Sequence, residues 1–124
     1  MKKILFVEDE HALQKTIGDA LSKKGYQVIS AVDGETGLRM VSSEKPDLVL
    51  LDLILPRMLG LEVLKRLKDN SETKDVPVIV LTNLDDMDKI NRAIELGAAA
   101  YLLKSSYKLE DVLEKIHKFI GKEN

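Results

Sequence analysis

The sequence has no cysteine, no tryptophan, and only two phenylalanines and three tyrosines. The absence of cysteine excludes disulfides, thiolate metal sites and cysteine nucleophiles. Long apolar runs are missing too: the first, over 4–7, ends at Glu8, too early for a signal peptide, and none approaches the roughly 18 residues of a membrane span. We therefore expect a soluble protein with an aliphatic core. The lack of cysteine is compatible with the cytoplasm, where we place it.

An excess of one charge is also absent. Charged residues make up 32% of the chain, yet the net charge is only −2, which argues against direct nucleic-acid binding. Basic residues on the last two predicted helices alternate with acids, as on a solvated face, and do not indicate a DNA site. The length fits one domain, and we predict that residues 1–124 form it.

What the sequence does contain is a regular alternation of short apolar runs and helix-period segments. It predicts strands over 4–7, 27–32, 47–52, 78–81 and 99–103, and helices over 11–24, 34–43, 61–69, 85–96 and 109–120. Five such β-α units predict one parallel sheet with right-handed crossovers and helices on both faces. In the strand order 2-1-3-4-5, the ligand crevice lies between the first and third strands, at their carboxyl ends.

Polar residues stand at the carboxyl ends of four of these strands. Glu8 and Asp9 follow the first strand, Asp52 the third, Thr82 the fourth and Lys104 the fifth. Each of them alone has an ordinary explanation as a helix cap, a solvated acid or a surface lysine. Because they fall together at one edge of one sheet, they predict a site.

The chemistry of these residues favours phosphoryl transfer. Three carboxylates in one crevice repel each other unless a cation joins them. No cysteine or histidine stands at these strand ends, so the ligands are oxygens, which suits Mg²⁺ with a phosphate oxygen still to come. Lys104 and the Thr82 hydroxyl then fit a phosphoryl group, and Asp52 fits the nucleophile, since an aspartate can form an acyl phosphate.

Over essentially its whole length the sequence resembles the receiver domains of bacterial two-component response regulators, including the stand-alone chemotaxis type. The motifs follow the order and spacing of that family: Glu8-Asp9, the run 51–56, Gly60, Thr82, Tyr101 and Lys104. The resemblance implies a flavodoxin-like, doubly wound α/β fold with a five-stranded parallel sheet and five helices.

The resemblance also implies a function. A sensor histidine kinase or phosphotransfer protein would donate a phosphoryl group from phosphohistidine to Asp52, with Mg²⁺ required. The metal ligands would be Asp9, Asp52, the backbone carbonyl of Ile54 and, through water, Glu8. The chain would be a regulator rather than an enzyme, catalysing only its own phosphorylation and hydrolysis.

The implied output is a change of surface. Thr82 and Lys104 would contact the phosphoryl group, and their movement would draw Tyr101 inward and remodel the face of the fourth helix, fifth strand and fifth helix for an output protein or domain. An aromatic on a strand is also ordinary core packing. The chain ends at Asn124, soon after the last predicted helix, so we expect no output domain in it. A stand-alone receiver and a piece of a larger regulator both stay open, as do the cognate kinase and any dimer.

Five positions depart from the family pattern. Ser105 replaces the proline that usually follows the lysine through a cis bond, Asn83 replaces a small residue, and Leu59 replaces an acid. Ile54 and Leu84 lie two residues beyond Asp52 and Thr82, positions resembling those that control hydrolysis in the family. Because both side chains are branched and apolar, we hypothesise that they exclude the attacking water and prolong phosphorylation.

Three other functions fit parts of the pattern. A phosphatase of the haloacid-dehalogenase type shares the aspartate nucleophile and Mg²⁺ but requires a second aspartate where this chain has Ile54, and a cap domain. A flavodoxin-like cofactor binder would offer hydroxyls and amides in its first loop, whereas Glu8 and Asp9 repel a phosphate. A receiver-like interaction module that is never phosphorylated stays open because of Asn83 and Ser105.

Overall fold

The computed structural model describes residues 1–121 of the chain. Five strands and five helices alternate along it. The strands are β1 (Lys3–Val7), β2 (Gln27–Ala31), β3 (Leu48–Leu51), β4 (Val78–Thr82) and β5 (Ala100–Leu103). The helices are α1 (His11–Lys23), α2 (Gly34–Glu44), α3 (Gly60–Asp69), α4 (Met87–Glu95) and α5 (Leu109–Ile120).

The five strands form one parallel sheet in the order β2-β1-β3-β4-β5. This is the predicted order, and the predicted doubly wound α/β fold is confirmed. The winding reverses between β1 and β3, so a crevice opens at their carboxyl ends. Within residues 1–121, no helix is long and apolar enough to cross a membrane.

Aliphatic side chains on both faces of the sheet hold the helices in place. β1, β3 and β4 are apolar runs with nearly every residue buried, and successive side chains point to opposite faces. Leu5 and Val49 belong to the core that packs under α2, α3 and α4. Phe6 and Leu50 belong to the core under α1 and α5. The sheet is therefore a rigid platform covered on both sides.

Helix caps explain where the predicted boundaries were wrong. The helix predicted over 85–96 begins only at Met87, because the Asp86 side chain caps it by accepting a hydrogen bond from the Asp88 N–H at 2.9 Å. All other observed boundaries agree with the predicted ones to within one residue.

The start of α2 and the end of α1 also have clear physical causes. Asp33 is the N-cap of α2: its carboxylate accepts the Thr36 N–H at 2.7 Å, and this bond lowers the pKa of Asp33. At the end of α1, Lys24 is the C-cap and Gly25 follows with a φ of 95°, the left-handed conformation that favours glycine.

Candidate phosphoryl-transfer site

The register of the sheet brings the predicted site residues to one edge. β1 and β3 pair up to their last residues, so Glu8 and Asp52 follow neighbouring strand ends, and the Asp52 N–H donates to the Val7 carbonyl at 3.1 Å. Beyond β3, Thr82 is the last residue of β4, and the Lys104 N–H donates to its carbonyl at 2.8 Å. Backbone pairing alone therefore places all four residues at the carboxyl edge.

The Lys104 ammonium group lies between two buried carboxylates. Its Nζ is 2.9 Å from Oδ2 of Asp52, 2.9 Å from Oε2 of Glu8 and 3.8 Å from Oε1 of Glu10. The side chains of Glu8 and Asp52 are only 0% and 5% exposed, and that of Lys104 is 11% exposed. Buried charges are costly unless they are paired, so the lysine offsets the cost of bringing these acids together.

The pKa shifts follow from this arrangement. Burial raises the pKa of Glu8, although hydrogen bonds from Lys104 and from the Glu10 N–H oppose the rise. Burial alone would lower the pKa of Lys104, but its hydrogen bonds to Glu8 and Asp52 outweigh burial, and its pKa lies above the ordinary value. The lysine is therefore a fixed positive charge at neutral pH.

Glu8, Asp9 and Asp52 form an acidic cluster that fits a metal ion. One carboxylate oxygen of each lies within 4.8 Å of the other two. Oε1 of Glu8 is buried and, although it is 2.8 Å from Nζ of Lys104, has no partner in hydrogen-bond geometry within the described part of the chain. Three carboxylates this close together form an oxygen-only ligand set, which suits a hard cation such as Mg²⁺.

The loop between β3 and α3 is held tightly against the strand end. The Ile54 N–H donates to Oδ1 of Asp52 at 3.2 Å, and the Gly60 N–H donates to the Leu53 carbonyl at 2.9 Å. A Cβ on Gly60 would lie 2.3 Å from the carbonyl oxygen of Asp52. Only glycine therefore allows α3 to begin this close to the Asp52 backbone.

A chain of hydrogen bonds joins Thr82 to Tyr101. Thr82 is fully buried, and its Oγ1 accepts the Leu84 N–H at 3.3 Å. The Tyr101 hydroxyl donates to the carbonyl oxygen of the same residue, Leu84. Tyr101 is half-buried against the core under α2, α3 and α4, and burial raises its pKa. The main chain of Leu84 is thus the link between the two hydroxyl groups.

Most positions that depart from the family pattern lie at the surface. Ile54 and Leu59 are 52% and 62% exposed although apolar, and Asn83 and Ser105 are exposed as well. The peptide bond between Lys104 and Ser105 is trans, like every other peptide bond within residues 1–121. Ile54, whose N–H bonds to Asp52, is therefore an exposed apolar residue next to the acidic cluster.

Two residues near the site were not predicted from the sequence. The Glu10 N–H donates to Oε2 of Glu8 at 3.0 Å. The side-chain amide of Gln14 donates to the carbonyl oxygens of Glu8, at 2.6 Å, and of Ala31, at 2.9 Å. The one available signal was their position at and just after the start of α1, which follows the acidic pair directly.

Residues 4–117 match the family model of the response regulator receiver domain. The sporulation initiation phosphotransferase F of Bacillus subtilis is 34% identical over 119 residues, which are 96% of this chain and 94% of that protein. The probable transcriptional regulator ycf27 of Porphyridium aerugineum is 36% identical, over 99% of this chain and 52% of that protein. The chain thus spans nearly all of one such relative and about half of the other.

Solved structures agree with this assignment. The phosphorylated cyanobacterial phytochrome response regulator RcpA is 33% identical, with a TM-score of 0.83 over 95% of this chain and 92% of that chain. The Mn²⁺-bound form of the response regulator Rcp1 is 32% identical, with a TM-score of 0.82 over 95% of this chain and 91% of that chain. The chain belongs to the response regulator receiver family and is a phosphorylation-dependent switch of two-component signalling.

Proposed function

We propose that Asp52 is the phosphoryl acceptor of this receiver domain and that the donor is a phosphohistidine of a sensor kinase or phosphotransfer protein. We also propose that the domain comprises residues 1–124, a few residues more at each end than the family model matches. The observation that carries the proposal is the ion pair between buried Asp52 and Lys104, set directly beside Glu8 and Asp9. Aspartate at a sheet edge is common, but a buried aspartate with a lysine and two further acids is what phosphoryl transfer requires.

The proposed step exchanges one bond for another. A carboxylate oxygen of Asp52 attacks the phosphorus, and the P–N bond to the donor imidazole breaks. The electron pair of that bond goes to the imidazole, which takes a proton from solvent, and Asp52 becomes an acyl phosphate. The step is self-catalysed by the receiver, so the chain acts as a regulator and turns over no separate substrate.

Glu8, Asp9 and Asp52, with the backbone carbonyl of Ile54, are the proposed metal ligands. Bound Mg²⁺ would supply positive charge to the phosphoryl oxygens and to the carboxylates that surround them. The close approach of the three carboxylates supports this assignment, because acids this near to one another repel unless a cation joins them. Removal of divalent ions by a chelator is therefore expected to stop phosphorylation.

Lys104 and Thr82 are the proposed contacts of the phosphoryl group. Lys104 is already held at the acceptor by the 2.9 Å contact with Asp52, so its charge is in place before the group arrives. Oγ1 of Thr82 accepts the Leu84 N–H, which leaves the hydroxyl proton for donation to a phosphoryl oxygen. Two donors of this kind stabilise the charge that the transfer brings in.

Tyr101 is the proposed switch residue, acting through Leu84. If the Thr82 side chain also moves toward the phosphoryl group, the bond that its Oγ1 accepts from the Leu84 N–H is disturbed, and the carbonyl of the same Leu84 accepts the bond from Tyr101. The change would alter the face of α4, β5 and α5, where Met87 and Ile94 are exposed apolar side chains. We propose that this face binds the output protein or domain.

We also propose that the chain acts in the cytoplasm, because the kinase that makes the phosphohistidine uses ATP.

Incubation with acetyl phosphate and Mg²⁺ tests the acceptor assignment. We expect a phosphoryl mass gain in the wild type and in Asp47→Asn, a matched control with an exposed acid at the other end of β3. We expect none in Asp52→Asn or in the presence of a chelator. An equal gain in Asp52→Asn, or no gain in the wild type with either acetyl phosphate or a phosphorylated kinase, would overturn the proposal.

A further inference from the structure

The side chain of Gln14 joins the carboxyl ends of β1 and β2. Its Nε2 donates to the carbonyl oxygen of Glu8 at 2.6 Å and to that of Ala31 at 2.9 Å. Gln14 is half-buried on α1, close to the start of the helix. One amide group thus uses both of its N–H donors on main-chain carbonyls at the carboxyl ends of β1, which borders the site, and of its neighbour β2.

The carbonyl of Glu8 needs a donor from outside the sheet. The Glu8 N–H still makes the parallel ladder bond to β2, donating to the Ala31 carbonyl at 2.9 Å. The next ladder donor would be the N–H of position 33, but there the chain has left the sheet and Asp33 caps α2. Gln14 supplies the missing donor, because a buried backbone carbonyl without a partner is costly.

The conformation of this backbone decides where the acids point. Between Glu8 and α1 the chain turns sharply, and the Glu10 N–H donates back to Oε2 of Glu8 at 3.0 Å. Glu10 is the N-cap of α1, and its side chain makes no capping hydrogen bond. The turn that presents Glu8 and Asp9 is therefore held by Gln14 and by the Glu8 carboxylate itself.

We propose that Gln14 is a positioning residue for the divalent-metal site: it fixes the main chain at Glu8 and thereby sets the separation of the Glu8, Asp9 and Asp52 oxygens. The inference rests on the proposed function in that it takes these acids as the metal ligands. Within residues 1–121 the Gln14 side chain bonds to two backbone carbonyls and to no carboxylate, and it carries no charge, so its effect on metal affinity acts through geometry alone. Groups that orient ligands in this way typically change metal affinity by about tenfold or more.

The test measures metal binding without any phosphodonor. Mn²⁺ is titrated into the full chain and the free ion is followed by electron paramagnetic resonance. Gln14→Leu keeps the size of the side chain and removes both donors, and we expect it to bind Mn²⁺ about tenfold more weakly than the wild type. Gln27→Leu is the matched control. It makes the same substitution at the exposed first residue of β2, at the amino ends of the strands and away from the site, and should leave the Mn²⁺ affinity unchanged.

Two further measurements complete the experiment. Circular dichroism shows whether Gln14→Leu is folded at the working temperature. If it is not, the Mn²⁺ affinity of Gln14→Asn is measured instead, because its shorter amide reaches the two carbonyls less well. At saturating Mg²⁺ the phosphorylation rate of the folded variant recovers to about the wild-type rate, because only metal binding is weakened. An affinity equal to wild type in a folded variant overturns the inference, and so does a wild type that binds no Mn²⁺. A wild type that binds Mn²⁺ but accepts no phosphoryl group contradicts the proposed function alone.

Discussion

Strand β3 has an aspartate just beyond each end, and the two lie in opposite surroundings. Asp47, before the strand, is exposed, and its Oδ2 accepts the backbone N–H of Lys3 at 2.7 Å. Asp52, after the strand, is buried and contacts the Lys104 ammonium group at 2.9 Å. The residue type is the same; the neighbouring strand ends and the burial differ.

A lysine and a glutamate also accompany each aspartate. At the amino edge, Nζ of Lys3 is 3.4 Å from Oε1 of Glu44, and these side chains are 25% and 43% exposed. At the carboxyl edge, Lys104 and Glu8 are nearly inaccessible. Exposed pairs contribute little to stability, whereas removing one partner of a buried pair leaves a buried charge. We therefore attribute the chemistry proposed for Asp52, and not shared by Asp47, to burial and to the close approach of other charges.

The largest expected difference in stability comes from removing the two lysines. Lys104→Met leaves Glu8 and Asp52 without their cation, and we expect the free energy of unfolding to fall by about 3 kcal/mol without divalent ions. Lys3→Met should cost less than about 1 kcal/mol, since its pair is solvated. Urea unfolding with and without Mg²⁺ measures both. Mg²⁺ should restore part of the loss only in Lys104→Met, and equal losses in the two variants would show that burial does not distinguish the two lysines.

Replacing a glycine by alanine should have opposite effects on stability at the site and inside an ordinary helix. Gly60→Ala places a Cβ 2.3 Å from the Asp52 carbonyl oxygen, so we expect about 2 kcal/mol of destabilisation and slower phosphorylation. Gly18→Ala, inside α1, meets only a side-chain atom of Val28 at 3.9 Å and should stabilise the protein by about 0.5 to 1 kcal/mol. Thermal unfolding distinguishes them. A neutral Gly60→Ala would show that the loop after β3 is not rigid.

The lifetime of the phosphorylated state tests the role of the exposed apolar residue Ile54 next to Asp52. Ile54→Asn replaces a 52% exposed apolar side chain close to Asp52 with an amide that can hold a water molecule. We expect dephosphorylation to become about tenfold faster, which corresponds to an activation barrier lower by about 1.4 kcal/mol. Ile94→Asn, on the similarly exposed Ile94 of α4, should leave the rate unchanged. Loss of radiolabel from purified phosphoprotein gives both rates. A wild type that loses label within minutes, at the same rate as Ile54→Asn, rules out water exclusion.

The smallest expected effect concerns the link to the output face. Tyr101→Phe removes the hydrogen bond to the Leu84 carbonyl and should lower the free energy of unfolding by about 1 kcal/mol, while labelling of Asp52 continues. Tyr107→Phe is the control, because the Tyr107 hydroxyl makes no hydrogen bond within residues 1–121. Nuclear magnetic resonance shifts on adding beryllofluoride should reach α4 and α5 in the control and not in Tyr101→Phe. The same shifts in both would remove Tyr101 from the switch.

The strand order and the residues at the strand ends can be predicted from the sequence for a physical reason. Continuous apolar runs must be strands covered on both faces, and right-handed crossovers then leave few strand orders, so the carboxyl ends and the residues there are determined together. That is why Glu8, Asp9 and Asp52 were predicted to meet, as the structure has them.

The remainder depends on side-chain positions that no pattern in the sequence encodes. Gln14 reads as a polar residue on a helix, and only the folded backbone reveals an open carbonyl at Glu8. Lys104 was predicted beside a phosphoryl group, whereas its contact with Glu8 as well as Asp52 depends on four side-chain torsions. The start of α4 was misplaced because consecutive aspartates each qualify as a cap, and the structure uses the second, Asp86.

The most direct test of the central claim locates the phosphoryl group within the protein. Borohydride reduces an aspartyl phosphate to homoserine, and peptide mass spectrometry then identifies the position. After phosphorylation with Mg²⁺, we expect homoserine at Asp52 and at no other aspartate. Homoserine at Asp47 or Asp9, or a labelled protein without homoserine at position 52, would contradict it.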